Sequence, residues 1–161
     1  MPLKSWQVLF AGVIATMSMD VLTAVAIRLR LIAPLSPNVV GRWFASVARA
    51  HPFHEDIARA VPATHEIAIA LPVHYAIGMF LTALFVLTAH RIGWQARSLP
   101  PALVFGVCTS VLPWLLMFPA MGYGVFGAHG PEGTRLFASS LVTHIFFGLG
   151  LWIAIRTMSL T

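Results

Sequence analysis

The chain has 161 residues, of which 58% are hydrophobic and only 9% charged, and its ten Lys and Arg against five Asp and Glu give a formal charge of +5. So few charged groups cannot wet the surface of a soluble domain, which points to an integral membrane protein. The basic excess does not indicate nucleic acid, because the cations are scattered singly with no cluster to follow a phosphate backbone, and the one cysteine, Cys108, excludes an intrachain disulfide and a cysteine metal knot.

The first apolar run, about Trp6 to Ile27, follows Lys4 and contains the small-x-small triplet Ala24-Val25-Ala26 of a cleavable signal. It is about twice the length of a signal's apolar region, and the sequence keeps Met1, so a retained helix is expected over about 6–30. Pro34 and Pro37 are expected to stop it.

The connection that follows is the longest in the chain. Asn38 is a candidate cap for a helix on which Val39, Val40, Trp43, Phe44 and Val47 share one face, with Arg42, Ser46 and Arg49 opposite. The segment 38–60 therefore predicts an amphipathic element that lies in the membrane interface or roofs the helices beneath it. The polar stretch "HPFHEDIARAVPATHE" leads into the second long apolar run, with Thr64 as candidate cap and Glu66 in the first turn, where a carboxylate suits the helix dipole.

Three further runs, about Ile67 to Ala89, Pro101 to Met121 and Leu136 to Ile155, are each long enough to cross a hydrocarbon core that needs about 20 helical residues. The expected fold is all-α: an up-down bundle of four membrane helices over about 6–30, 66–90, 101–121 and 136–156, forming a single integral membrane domain. Arg28, Arg30, Arg42, Arg49, Arg59 and Arg135 fall on the side of the long connection, against Lys4, Arg91, Arg97 and Arg156 on the other, which leans that connection toward the cytoplasm.

Asp20 lies eight positions before Arg28, His74 eight after Glu66 and His144 nine after Arg135. At about 1.5 Å of rise per residue, all three start roughly 12 to 14 Å below the same interface. A charge at the bilayer centre costs about 3 kcal/mol on insertion scales, so the trio is expected to face the interior and to share partners. One carboxylate and two imidazoles match the ligand set of a divalent metal site with an open position, and they also suit a proton relay.

The second and fourth helices carry a His with Gly four residues on, His74 with Gly78 and His144 with Gly148, while the first and third share Gly12-Val13 and Gly106-Val107. That pattern predicts two copies of a helical hairpin. It also fits a b-type haem with His74 and His144 as axial ligands and the two glycines making room for the porphyrin.

The pieces "MSMDV", "GRWF", "HYAIG", "PAMGYG" and "THIFFGLG", in that order along four apolar helices, resemble a family of small bacterial inner-membrane proteins catalogued only as a domain of unknown function, family twenty-nine thirty-eight. The resemblance covers nearly the whole chain. It implies four helices and a bacterial inner (plasma) membrane, and it implies no activity.

Secondary candidates are Glu66 and Met121, the latter grouped with Met17, Met19 and Met117 as soft thioethers. His51, His54, Glu55, Asp56 and His65 form a further candidate surface metal set. The glycine-rich stretch Phe118 to Gly133 lacks the spacing of a phosphate loop and predicts a close-packed turn. No Ser, Thr or Cys stands beside a base so as to mark a nucleophile, so nucleophilic catalysis has no positive support, and a lipid-modifying enzyme is kept as a minor alternative. The functional expectations are a metal-binding or proton-relay membrane protein acting in transport or ligand binding, a haem electron carrier, and a noncatalytic assembly partner with the trio as interhelical glue. The expected partners are membrane lipid, a second copy or another membrane subunit.

Overall fold

The computed structural model describes residues 4–33 and 35–158. It has helices α1 (Ser5–Arg28), α2 (Pro37–Ala48), α3 (Glu66–Ile92), α4 (Leu99–Thr109), α5 (Phe118–Ala120) and α6 (Thr134–Met158), with no strand among the described residues. Helices α1, α3 and α6, and the span Leu99–Ala120 that begins with α4, are long and apolar enough to cross a membrane. The fold is all-α.

Several ends differ from those the sequence predicts. Helix α1 stops at Arg28, before either proline; the backbone reverses at Arg30, whose φ of 59° is left-handed, and Pro34 lies outside the described residues. Helix α2 begins at Pro37 after Ser36, so Asn38 is inside it rather than at its cap, because proline's fixed φ already sets the first turn. It ends at Ala48, and the rest of the segment 38–60 is loop with a single 3-10 turn, Ile57–Arg59. Thr64 does not cap α3: His65 occupies that position at a left-handed φ of 59°, and the Glu66 carboxylate accepts from the Ala63 N–H at 3.0 Å in place of a cap hydroxyl.

The third span is interrupted. A π-helical stretch, Pro113–Met117, separates α4 from α5, as expected where proline removes a donor and the ring displaces the preceding carbonyl.

Helix α1 sits between α3 and α6, and α4 packs on α6. Contacts are close because glycines lie at the crossings: a Cβ on Gly12 would stand 2.6 Å from the Met79 Cα, and one on Gly150 2.8 Å from the Ala15 carbonyl. Gly12 faces Met79 and Thr16 faces Gly78, so α1 and α3 run antiparallel. Helix α4 touches α3 lightly, with Phe105 against Phe85 at 5.2 Å between ring centroids. The two-fold arrangement that a duplicated hairpin predicts would give α4 a contact on α3 matching that of α1 on α6, and it has none of that extent.

Two apolar cores result. One joins Ala11, Ala15, Leu81, Phe85, Phe147 and Leu151 between the long helices. The other joins Trp43 of α2 with Ile57, Phe118, Met121, Tyr123 and Leu136, so the long connection roofs one end of the helices. The roof is tied by backbone bonds from His54 N–H to Ala120 at 2.8 Å and from Ile57 N–H to Met121 at 2.9 Å. Gly122, at φ +85°, backs onto the Glu55 carbonyl where no side chain fits, which makes the glycine-rich stretch a close-packed turn.

Candidate functional site

Asp20 and His74 meet on the seam between α1 and α3. Thr16 donates its hydroxyl to the Gly12 carbonyl at 2.8 Å and lies against Gly78, so the two backbones approach there. Asp20 is four residues after Thr16 and His74 four before Gly78; in antiparallel helices both steps lead one turn along the same seam. The His74 Nε2 and Asp20 Oδ1 are 2.9 Å apart, with 35% and 39% of the respective side chains uncovered. The Tyr75 ring stands edge-on to His74 at 5.8 Å between ring centroids.

His144 goes elsewhere. Its Nδ1 lies 2.8 Å from the Thr109 Oγ1, which in turn donates to the Gly106 carbonyl at 2.6 Å. A hydroxyl has one proton; with that proton on the carbonyl, His144 must donate from Nδ1–H. The residue that matches Asp20 in depth is thus a hydrogen-bonding partner of α4, not of α1.

The buried Asp20–His74–His144 cluster expected from depth is therefore not formed. The pair is partly open and His144 is separately satisfied. Among the described residues no group of three His, Cys, Asp or Glu could hold a metal ion, which removes the metal-site expectation; the relay through all three goes with the cluster, because His144 is bonded to Thr109 and not to the Asp20–His74 pair. The haem expectation fails on space: a Cβ on Gly78 would overlap the Thr16 hydroxyl, and one on Gly148 would stand 2.7 Å from the Ala102 carbonyl, so both glycines are filled by neighbouring helices.

The secondary candidates are structural. Met121 is fully buried in the roof core, whereas Met17 is half exposed on α1. Among the surface metal candidates, His51 bonds to the Arg49 carbonyl at 2.8 Å and Asp56 accepts from the Ala58 N–H at 2.9 Å. Glu66 is held by Arg42: Nε lies 2.7 Å from Oε1, and Nη1 donates to the carbonyls of Ile57, Ala58 and Ala60 at 3.2, 3.0 and 3.1 Å. Nearby, burial raises the Tyr123 phenol above its ordinary pKa; the Asp56 carboxylate adds to this and the Arg42 guanidinium opposes it.

Sequence reasoning missed the Arg42 clamp and Tyr75. Periodicity placed Arg42 on an outward face, and only its closeness to the one acid opening a membrane helix, Glu66, hinted at the pair. Tyr75 carried the available signal of being one of two tyrosines, adjacent to His74.

A family model described as "Protein of unknown function (DUF2938)" matches residues 9–158. No curated protein and no solved structure matches the chain.

Proposed function

The chain belongs to this family of unknown function, and from that premise we propose that it is a multi-pass protein of the bacterial inner membrane that acts as a subunit of a self-associated assembly. The observation that carries this is the Asp20–His74 pair, bonded across two helices and more than a third uncovered on both sides. A carboxylate and an imidazole placed deep in a membrane are costly when they meet lipid, and membrane proteins turn such groups toward partners. A second copy answers the need directly. The pair offers both an acceptor and an imidazole, so it is self-complementary about a two-fold axis, each copy's Asp20 facing the other's His74. Half-exposed apolar neighbours on α1, Met17 and Val21, supply contact area around it.

Association should be measured by native mass spectrometry and light scattering over a range of protein-to-detergent ratios. The intact chain is expected to dimerise, and the double variant Asp20→Leu, His74→Leu to dimerise about tenfold more weakly, since interhelical polar contacts in membranes contribute roughly 0.6 to 1.7 kcal/mol each. A wild-type chain that stays monomeric throughout, or a double variant that associates as well as wild type, overturns the proposal.

A further inference from the structure

The end of the helices opposite the roof holds a groove of about 870 Å³. Its walls are apolar: Val8 and Leu9 from the start of α1, and Ala83, Val86 and Leu87 from the last turns of α3. Leu9 and Leu87 are 50% and 52% exposed there. Its mouth is polar, with His90, Gln95 and Arg97, because the α3–α4 connection folds back over the groove. Gly93, at φ 73°, ends α3, and the Trp94 N–H returns to the Ala89 carbonyl at 2.8 Å. That brings the Trp94 ring to the mouth as well, the position an indole prefers between apolar and wet surroundings.

Among the described residues the charged side chains at this end are all basic. Lys4, Arg91, Arg97 and Arg156 lie in the segments that form it, whereas the five Asp and Glu side chains of the chain, Asp20, Glu55, Asp56, Glu66 and Glu132, lie deeper or toward the roof. A groove with apolar walls running in from a cationic mouth is complementary to a molecule with an apolar tail and an anionic head. We propose that it binds one anionic phospholipid, with an acyl chain along Val8, Leu9, Val86 and Leu87 and the phosphate at His90 and Arg97. Basic pockets between membrane helices are a recurrent way of holding such headgroups. This assignment is independent of the dimer seam, which lies toward the other end of α1 and α3.

The full-length protein in detergent is titrated with phosphatidylglycerol and with phosphatidylcholine of the same acyl chains, and lipid retention is read by native mass spectrometry. Phosphatidylglycerol is expected to be retained about tenfold more strongly. Arg97→Gln with His90→Gln should bring the two lipids to within about twofold of each other. Ala83→Trp, which fills the groove and leaves the cations in place, should lower retention of both. Equal retention by the wild-type protein, a preference that survives in the double variant, retention unchanged by Ala83→Trp, or displacement of the lipid by millimolar inorganic phosphate alone each overturns the assignment. If the double variant does not fold, the wild-type competition and Ala83→Trp still decide.

Discussion

Gly106→Leu should detach α4 from α6 while leaving both helical. A Cβ at Gly106 would lie 2.5 Å from the His144 carbonyl oxygen and 2.9 Å from the Gly148 backbone. All of these are main-chain atoms, so no flexible side chain can move aside. The helices must separate, and the Thr109–His144 bond at 2.8 Å is lost with them. Overpacking a close contact costs typically 1 to 3 kcal/mol, and a backbone-to-backbone crossing belongs at the upper end, about 3 kcal/mol. The gain in helix propensity from removing glycine is about 1 kcal/mol and does not offset it. Far-ultraviolet circular dichroism should therefore change little, because backbone groups in a membrane stay paired within their helix. The thermal transition followed by tryptophan fluorescence should drop. Gly106→Ala should show the same effect more weakly; an unchanged transition in the leucine variant would mean that the crossing is not close.

The four long helices were legible because a run of about twenty apolar residues has few other uses. Their ends were not. Asn38 and Thr64 have the side chains of caps, yet Pro37 and the left-handed turn at His65 decide where α2 and α3 begin, and backbone geometry of that kind leaves little trace in residue type. The sequence also offers an expected height, since eight or nine residues from a boundary arginine or glutamate correspond to a distance along the helix axis. Height is one coordinate of two. Which way a side chain points around its helix depends on which helices are neighbours, and α4 lies against α6 and only lightly against α3. His144 accordingly reaches Thr109, while His74, at a similar height, reaches Asp20. The paired glycines carried a true signal read the wrong way: Gly78 and Gly148 mark where another helix comes close, with no space left for a cofactor.

Arg42→Met should loosen the whole roof. The amphipathic pattern of α2 treats Arg42 as a solvent-facing residue, but α2 is covered on that side as well: a Cβ on Gly41 would overlap the Glu66 carbonyl, so the helix lies directly on the start of α3. Only 13% of the Arg42 side chain is exposed. From there one guanidinium joins three elements: α2 that bears it, the Ile57–Arg59 turn through three carbonyls, and α3 through Glu66. Methionine keeps the length of the stem and removes every donor, which leaves those carbonyls and the carboxylate without their partner. Hydrogen bonds to charged groups contribute about 1.5 to 3 kcal/mol, so a loss on the order of 3 kcal/mol is expected for Arg42→Met. Glu66→Gln is the informative contrast. Its amide oxygen can still accept from the Ala63 N–H and from Arg42, and the guanidinium keeps its three carbonyls, so the loss should be clearly smaller. Hydrogen exchange separates the two effects: in Arg42→Met, protection should fall at the His54 and Ile57 amides, which bond to Ala120 and Met121, and persist in the middle of α3. If both variants unfold alike, or if exchange rises evenly along the chain, Arg42 is one surface cation among others and the roof is held by its apolar core alone.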